Sequence, residues 1–567
     1  MLDPKLQAKA GLLLQVAVHL LRPDLKPVGC GVHERGFYCD FKSTKGEWLS
    51  IDEAKKAVNL ALELKLVSEE IKLCKSGEVD ELASILGRTK KYLIKDVEVY
   101  LEPELEPEGN VEAIVVMSVA AHNPLPNVSL VRVNAIAFPT KERMEEYLRW
   151  LKEAEKRDHR VLGRKLGLFT FHEEVGPGLA IFHPKGFIVR EELIRLMREI
   201  NKKLGYEEVF TPHLYRAIIW KRSGHYELYR DKMVLADVEG EEYGVKPMNC
   251  PGHILIYKSE PRSYKDLPIK LSEFGTVYRW EKRGELYGLL RVRGFTQDDG
   301  HAFLREDQVK DEVKNILKAV IELLSIFGFK EKDIRFNLST KPDQYIGTDE
   351  MWDKATSALR EALEELKLRY NIKEKEGAFY GPKIDVEFRD SLGRWWQCST
   401  IQVDFALSER FNLEYILPDG SKARPVMVHR AILGSIERFM AIILEHFAGR
   451  LPTWLSPIQV VILPLTQKQS RYANEVTSMM KDKGIRVEVW EATETLSKRI
   501  KKAYDQAIPY IIIIGENEEK NKTITIRGRR NLQARNVDPK EFIKLLEIEI
   551  KNRDLQQTAI MKILGKS

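Results

Sequence analysis

Long apolar runs are missing from this sequence. The longest, such as residues 458–465, fall well short of the about 18 consecutive residues that a membrane-spanning helix needs. The first ten residues mix Asp, Lys and Gln and contain no apolar segment of the kind that a secretory signal requires. We therefore expect a cytoplasmic protein that does not bind a membrane.

Cysteine is also scarce. The chain has five cysteines and no Cys-x-x-Cys spacing, and these residues are Cys30, Cys39, Cys74, Cys250 and Cys398. An odd, scattered set argues against a disulfide scaffold and favours a reducing compartment. Each cysteine is expected to be a buried, small apolar residue unless another observation gives it a role.

A strong excess of one charge is absent as well. Lys and Arg total 91 and Asp and Glu total 85, so the net charge is +6, too small for nucleic-acid binding through charge alone. With 43% hydrophobic and 31% charged residues, the composition excludes disordered, collagen-like and coiled-coil chains. A length of 567 residues allows about three or four domains.

Composition and pattern divide the chain into three regions, residues 1–160, 161–457 and 458–567. The first is mixed α and β and ends in a charged helical run. In the middle region, predicted strands that follow one another closely favour an antiparallel sheet with helices, an α+β fold. The third region, after a short linker at 454–457, alternates strands and helices as a small α/β domain does. The predicted strands of the middle region are 273–281, 294–304, 383–388 and 394–407, and its predicted helices are 311–327, 352–366 and 434–447.

Three polar residues in the middle region could hold a metal ion. They are Cys250, His301 and His429, each next to or within an apolar segment. One thiolate and two imidazoles from separate segments would make an open tetrahedral zinc site, with the fourth position left for a substrate. The spacing is not that of a zinc finger, so buried structural side chains remain the alternative, and His253 is a competing ligand.

A second group could hold a nucleotide. Arg279 and Glu281 are two residues apart on a predicted strand and would share one face of it. A guanidinium pairs with phosphate, a carboxylate accepts from an adenine amino group, and the ring of Phe295 could stack on the base. Downstream, Gly434 would allow close approach to a ligand, and Arg438 lies in the first turn of a predicted helix. A surface salt bridge and a turn glycine are the alternative for these residues taken singly.

Five longer segments join these observations. They read PMNCPGH at 247–253, RVRGFTQDDGH at 291–301, GAFYGPKI at 377–384, WQC at 396–398 and PVMVHRAILGS at 425–435. Together they resemble the signature motifs of class II aminoacyl-tRNA synthetases and, within that class, of the threonine-specific family. The resemblance extends from about residue 138 to 550, and the third region resembles the anticodon-binding domain of several class II enzymes.

The resemblance implies a role for each matching residue. Arg279 would pair with the α-phosphate and Arg438 with the γ-phosphate of ATP bound with Mg²⁺, and these two residues, Gln297 and Lys383 would carry catalysis. The implied zinc ligands are Cys250, His301 and His429; the implied ATP-binding residues are Arg279, Glu281, Arg291, Phe295, Gln397, Thr400, Gly434 and Arg438; and the implied threonine pocket is Met248, Gln297, Asp299, Tyr380 and Gln402. His225 falls at a further active-site position of the family.

The tRNA contacts implied by the resemblance lie in the third region. Glu518 and Arg527 fall where the family contacts anticodon bases, and Lys501 stands where relatives carry arginine. Lysine keeps the charge but lacks the planar fork of a guanidinium. Surface charge on a small α/β domain is the alternative interpretation of all three residues.

Zinc in an amino-acid pocket has a physical rationale. Valine has the shape of threonine, and an apolar pocket separates such isosteres by only about a hundredfold. The amino group and hydroxyl of threonine can both ligate zinc, whereas valine lacks one of these donors, and Asp299 could accept from the hydroxyl. The resemblance therefore implies one Zn²⁺ per subunit, used for selection.

Serine also offers both donors, so zinc cannot reject it, and related enzymes carry an N-terminal editing domain with a His-x-x-x-His motif. Residues 12–23 and 36–41 resemble that domain faintly, but Leu12 and Val16 stand at the two histidine positions. We expect residues 1–160 to be a degenerate α+β remnant without editing activity, as in archaeal relatives that split activation from editing. A separate protein would then hydrolyse seryl-tRNA in trans.

The resemblance also implies the partners. They are L-threonine, ATP, tRNA(Thr) and a second copy of the chain, since residues 175–186 and the helix after them form the dimer motif of the class. A non-catalytic paralogue is a rival interpretation, but Arg279 and Arg438 are both present. A synthetase for serine or proline, and a zinc hydrolase, are further rivals; the Cys and His set argues against proline, and no Glu stands beside a His pair as a general base.

Overall fold

The structure is a computed structural model that describes residues 2–33, 36–64, 72–74 and 80–566. Within the described residues, no helix is long and apolar enough to cross a membrane. The chain divides into two compact units, Met1–Glu153 and Ala154–Ser567. The three-domain division at residues 160 and 457 stays a prediction.

The first unit contains a seven-stranded sheet in the order β3-β4-β5-β1-β2-β7-β6, with helix α1 in its core. Its elements are α1 Pro4–Leu21, β1 Leu25–His33, β2 Gly36–Ser43, α2 Ile51–Glu63, β3 Lys72–Leu73, α3 Glu81–Ile85, β4 Lys90–Ile94, β5 Val97–Leu101, β6 Ala113–Leu125 and β7 Val128–Phe138; helix α4 Lys141–Arg157 contains the boundary between the units. Helix α1 starts at the N-cap Asp3, whose side chain accepts from the backbone N–H of Lys5.

One pair of cysteines contradicts the sequence expectation. Cys30 on β1 and Cys39 on β2 form a disulfide, because the antiparallel register places them directly opposite each other with Cα atoms 4.2 Å apart. Both cysteines are buried, as expected, but they are cross-linked, so the expectation of a reduced, small apolar residue is wrong for this pair. Cys250 is buried and free, whereas Cys74 and Cys398 are half-buried and free.

The second unit is built on an eight-stranded sheet in the order β10-β14-β15-β22-β19-β18-β16-β17, antiparallel except where β10 meets β14 and β17 meets β16. Its strands are β8 Phe169–Phe171, β9 Ala180–Phe182, β10 Glu207–Glu208, β11 Leu214–Arg216, β12 Val234–Val238, β13 Glu241–Val245, β14 Ile269–Tyr278, β15 Gly294–Leu304, β16 Ile334–Ser339, β17 Tyr370–Lys373, β18 Lys383–Arg389, β19 Trp395–Asp404, β20 Tyr415–Ile416, β21 Lys422–Ala423 and β22 Val426–Ala431. The helices of this part are α5 His159–Leu166, α6 Pro184–Leu204, α7 Ile218–Ser223, α8 His225–Tyr229, α9 Cys250–Lys258, α10 Val309–Ile326, α11 Asp349–Glu365, α12 Ala406–Arg410 and α13 Ile436–His446. Helices α6, α10, α11 and α13 share one apolar core with the sheet, so the predicted antiparallel sheet with helices is confirmed.

The rest of this unit is a five-stranded sheet in the order β24-β23-β25-β26-β27. Its elements are β23 Val460–Pro464, α14 Ser470–Lys481, β24 Val487–Val489, α15 Leu496–Asp505, β25 Tyr510–Ile514, α16 Glu516–Asn521, β26 Ile524–Arg527, β27 Gln533–Val537, α17 Pro539–Asn552 and α18 Thr558–Ile563. The α/β alternation was predicted, but the segment before it is no exposed linker. Trp454 and Leu455 are buried in the 3₁₀ turn Thr453–Leu455.

The sequence predicts two neighbouring strands of the main sheet unequally. Strand β15 has the predicted bounds. Strand β14 ends at Tyr278, and beyond it the N–H of Glu281 donates to the carbonyl of Arg279 at 2.8 Å. Arg279 and Glu281 therefore do not share a strand face, and that prediction is wrong because the strand ends before Arg279 and the chain turns between the two residues.

The first unit depends on one buried carboxylate. Asp40, fully buried on β2, accepts from Arg88 at 2.6 Å and from Arg132 through two bonds of 2.7 Å.

Removing the Asp40 carboxylate in Asp40→Ala leaves two guanidiniums without their counter-ion, which should cost roughly 3–5 kcal/mol of unfolding free energy. We expect amide hydrogen exchange in β2 and β7 to speed up by about two to three orders of magnitude, since each 1.4 kcal/mol is a factor of about ten. Glu108→Ala, which breaks an exposed pair with Lys5, is the control and should change exchange little; equal exchange in both variants would contradict this account.

Candidate active site and metal centre

The register of the main sheet brings two histidines together. His301 on β15 lies directly opposite His429 on β22, and Gln402 on β19 lies opposite His429 from the other side. Directly opposed residues of an antiparallel pair project to the same face. The two imidazole rings therefore meet edge to face, with centroids 4.6 Å apart.

The third member of the group comes from a helix. Cys250 is the first residue of α9, and the Sγ atom of Cys250 and one ring nitrogen each of His301 and His429 all lie within 4.8 Å of one another. All three residues are buried. One sulfur and two imidazole donors on one side of a point form an open set that suits zinc and leaves room for a further ligand. The structure thus brings together the three residues that the sequence nominated.

Hydrogen bonds behind the two histidines fix which nitrogen faces the centre. In the tautomer in which Nε2 of His253 donates to Glu273 at 3.2 Å, Nδ1 of His253 is the acceptor. That atom lies 2.8 Å from Nδ1 of His301, which must donate, and Nε2 of His301 keeps its lone pair. Likewise Asp404 accepts from Nε2 of His429 at 2.9 Å, which leaves the lone pair on Nδ1. A histidine that binds a metal usually donates its other ring N–H to a neighbouring acceptor, and both of these rings have such a partner.

This network corrects one expectation about His253. It is not a competing ligand, because the donor group does not include it and both of its ring nitrogens are engaged. It lies behind His301 instead, fully buried, and connects that ring to Glu273.

Electrostatics at the centre favour a cation. Burial, together with the carboxylates of Asp299 and Asp404, raises the pKa of the Cys250 thiol well above its ordinary value. Burial and the neighbouring His429 lower the pKa of His301 well below its ordinary value. Cys250 and His301 are thus uncharged by themselves, and a divalent cation would stabilise the thiolate and displace its proton. The donor set and the hydrogen bonds behind it fit zinc.

The centre opens into a cavity of about 430 Å³. Most of the residues that the sequence nominated line this cavity: Met248, Cys250, Arg279, Phe295, Gln297, Asp299, His301, Tyr380, Lys383, Thr400, Gln402, His429 and Gly434, together with His225. Four nominated residues do not line it: Glu281, Arg291, Gln397 and Arg438.

The nucleotide candidates occupy two places. Arg279 stacks over the Phe295 ring at 5.2 Å and donates through Nε to the carbonyl of Pro247 at 3.1 Å, so it is aimed into the cavity from its rim. Glu281 is instead paired with Arg291 at 2.9 Å and with Lys232 at 3.2 Å. These two ion pairs hold the carboxylate of Glu281 outside the cavity lining.

Arg438 and Gln397 also lie outside the cavity lining. Arg438, near the start of α13, has a buried Nε without a hydrogen-bond partner among the described residues. Gln397 donates to Asp385 at 2.6 Å. The glycine before α13 is required by packing, since Gly434 has φ +83° and a Cβ there would lie 2.5 Å from the carbonyl oxygen of Cys398.

The part of the cavity next to the metal centre is polar and internally hydrogen-bonded. The hydroxyl of Tyr380 donates to Gln402 at 2.8 Å, and Asn249 donates to Asp299 at 3.0 Å. Burial raises the pKa of Asp299. His225 faces the same space, and burial followed by the nearby His429 lowers its pKa to about 3, so its ring is neutral. Polar donors and acceptors around a metal site suit a small polar ligand.

Some residues of the site were missed by sequence reasoning. Asp404 holds His429, and Asp385 accepts from Thr400 at 2.9 Å and pairs with Lys383 at 2.6 Å. A period-two signal was available for Asp385, since it lies two residues after Lys383 on β18 and shares its face. Asp404 lies at the end of β19, where no local pattern links it to a histidine on another strand.

The nominated tRNA contacts lie in the C-terminal part. Lys501 is exposed on α15, and Arg527 ends β26 with a buried Nε that has no partner among the described residues. Glu518 accepts from the N–H of Gly515 at 3.0 Å and from the hydroxyl of Thr525 at 2.8 Å. Glu518 therefore also stabilises the start of α16.

Comparison with known proteins agrees with this geometry. Residues 226–447 match the family model described as "tRNA synthetase class II core domain (G, H, P, S and T)", and residues 459–549 match the model for the anticodon binding domain. The fold and the site thus define a class II aminoacyl-tRNA synthetase core with an anticodon-binding domain.

Individual relatives narrow this class to one family. The chain is 55% identical over 556 residues to the threonine–tRNA ligase catalytic subunit of Sulfurisphaera tokodaii, covering 98% of each chain. It is 54% identical over 545 residues to the corresponding subunit of Saccharolobus solfataricus, covering 96% of this chain and 97% of that one. A solved RNA binding domain of threonyl-tRNA synthetase from Cryptosporidium parvum matches with a TM-score of 0.66 and 39% identity, over 70% of this chain and 99% of that one. The chain belongs to the threonine–tRNA ligase family and is an aminoacyl-tRNA ligase.

The hydrogen-bonded network behind the metal centre generates a stability prediction. Burial alone would raise the pKa of Glu273, but hydrogen bonds from His253 and Thr211 and the charge of Lys246 lower it to about 2. Lys246 is fully buried, so Glu273→Gln strands its charge and should cost roughly 3 kcal/mol of unfolding free energy at neutral pH.

The pH dependence has a definite sign. Because the folded pKa lies below the ordinary value of 4.5, the stabilisation is complete above about pH 4.5 and is lost as the pH falls toward 2. Thermal unfolding from about pH 7 to 3 should show the difference between wild type and Glu273→Gln shrinking in that window. Glu260→Gln, at an exposed pair with Arg262, is the control; a difference that grows on acidification would contradict the assignment.

Proposed function

We propose that this protein activates threonine with ATP, forming threonyl-adenylate, and then transfers the threonyl group to tRNA(Thr). In the first step a carboxylate oxygen of threonine attacks the α-phosphorus of ATP, and pyrophosphate leaves. In the second step the terminal ribose hydroxyl of the tRNA attacks the carbonyl carbon, and AMP leaves. The observation that carries the proposal is the meeting of Cys250, His301 and His429 at one end of the cavity.

The residues of the chain act by positioning and by charge. Activation needs no general base, because the substrate carboxylate is itself the nucleophile. Arg279 at the cavity rim and Arg438 at the start of α13 would stabilise the phosphates of ATP, which binds with Mg²⁺. Gln297 and Lys383 line the same space and would hold the reacting carboxylate near the α-phosphate.

The metal centre would provide selectivity. Zinc held by Cys250, His301 and His429 would act as a Lewis acid that favours an amino acid carrying both an amine and a β-hydroxyl. Valine lacks the hydroxyl. Asp299 lies on β15 two residues before His301, and its carboxylate would accept from the substrate hydroxyl. Gln402 and Tyr380, already hydrogen-bonded to each other, would close the pocket around the side chain.

Pyrophosphate exchange tests the specificity. Threonine should support ATP–pyrophosphate exchange strongly, serine less strongly and valine hardly at all, because only the first two offer both donors. Cys250→Ala should lose bound zinc and, with it, threonine-dependent exchange by at least about a hundredfold.

A matched variant separates metal binding from packing. Cys398 lines the same cavity but is not part of the donor group, so Cys398→Ala should retain zinc in metal analysis. Retention of both zinc and threonine-dependent exchange by Cys250→Ala would overturn the proposed mechanism of selection.

We further propose that the first unit does not edit. Leu12 and Val16, at the positions of the editing histidines, are fully buried in α1 within the apolar core of the unit. Apolar side chains in that position cannot activate water. The removal of wrongly formed seryl-tRNA(Thr) would therefore need a separate protein that hydrolyses it in trans.

Incubation with preformed seryl-tRNA(Thr) tests this directly. The purified chain should leave its hydrolysis at the spontaneous rate, because no imidazole pair is available, and it should form seryl-tRNA(Thr) when given serine. Hydrolysis clearly faster than in the protein-free control would show that the first unit edits.

A homodimer in the cytoplasm completes the proposal. Three apolar side chains of the segment that resembles the dimer motif are exposed in a single chain: Val175 by 46%, Ile181 by 40% and Phe187 by 52%. Exposed apolar residues clustered along one segment are typical of an interface. These side chains support pairing with a second copy through β9 and the start of α6.

A further inference from the structure

A second cavity, of about 370 Å³, lies away from the metal centre. Arg450, from the loop after α13, lines it together with Arg529 and Arg530 from the turn between β26 and β27, and Tyr504 on α15 and Asn531 also line it. Among the residues that the structure describes, no carboxylate belongs to the lining. Three guanidiniums thus surround one space without an acidic residue in its wall.

Arg529 is held in place without being neutralised. Its guanidinium donates to the carbonyls of Arg450 and Ala507, at 3.0 Å each. Carbonyls satisfy the N–H groups but carry no net charge. Burial, followed by the charge of Arg450, lowers the pKa of Arg529 to about 10, although Tyr510 and Glu549 act in the opposite direction, so the guanidinium is only partly compensated.

The other two arginines are exposed and free to bind. Arg450 and Arg530 make no ion pair with a carboxylate in the part of the chain that the structure describes. Tyr504 presents a ring that is 46% exposed at the same cavity. Guanidiniums bind phosphate through parallel N–H···O bonds, and an exposed tyrosine offers a stacking surface for a base.

The position of the cavity links it to the nominated anticodon contacts. Tyr504 lies three residues after Lys501 on α15, so the two side chains occupy the same side of that helix. Arg529 follows Arg527 by two residues, just after β26. The arginine-lined cavity therefore continues the surface on which tRNA recognition is expected.

We propose that the cavity formed by Arg450, Arg529 and Arg530 binds the sugar–phosphate backbone of tRNA, with Tyr504 against a neighbouring base or ribose. The inference rests on the proposed function, since it supplies a contact for the same tRNA. Arg529 is preset by its two carbonyl partners, and Arg450 and Arg530 complete the anion site from either side. The contact is with phosphate, so it contributes affinity and position and does not read sequence.

The test uses the full-length protein and its tRNA. In the double variant Arg450→Gln/Arg530→Gln, the Kd for tRNA(Thr) should rise roughly tenfold, and the slope of log Kd against log salt should fall by about one per lost phosphate contact. Arg535→Gln is the matched control, because Arg535 is an exposed arginine of the same small sheet outside the cavity. Both altered arginines are exposed, so folding should be unaffected.

A tRNA-free assay separates this inference from the proposed function. Threonine-dependent pyrophosphate exchange without tRNA should be the same in the double variant and the wild type. Unchanged tRNA affinity and salt slope in the double variant would overturn the inference. A double variant that binds tRNA as the wild type does, but is no longer stabilised by inorganic phosphate, would also overturn the inference. The cavity would then be a site for a small anion. Absence of threonine-dependent exchange in the wild type would overturn the proposed function, and the binding comparison would still decide the inference.

Discussion

The register of one antiparallel sheet is the constraint on which the site depends. Strand β15 pairs with β14 and β22, and that pairing places His301 opposite His429. A slip of one residue in β22 would turn His429 to the other face and separate the donors. Apolar residues on either side of this strand pack into the core and hold the register, so the chemistry of the site is fixed by burial as much as by the polar residues themselves.

The polar network behind the strands makes the register chemically useful. Glu273 and His253 orient His301, and Asp404 orients His429, so both rings present a lone pair to the same point. Such a network is costly unless every member is satisfied. The buried Lys246 completes it by neutralising Glu273, which connects the stability of the core to the geometry of the metal centre.

The sequence predicts those parts of the fold that depend on local residue patterns. Strand β15 and helices α10 and α11 follow the residue pattern closely because their periodicity is strong. Long-range pairings could not be predicted in this way. The Cys30–Cys39 disulfide and the role of His253 depend on which strands meet, and the placement of Glu281 depends on a turn that begins where β14 ends. The donors at 250, 301 and 429 lie in distant segments, so their residue types alone left buried structural side chains as an alternative, and the family resemblance favoured the metal site.

X-ray absorption at the zinc edge tests the central claim most directly. For the purified protein the account predicts one sulfur at about 2.3 Å and two imidazole nitrogens at about 2.0–2.1 Å, with the first shell changing on addition of threonine but not of valine. A zinc shell without sulfur, or a shell that responds equally to threonine and valine, would contradict the claim that Cys250, His301 and His429 hold a metal that selects the amino acid.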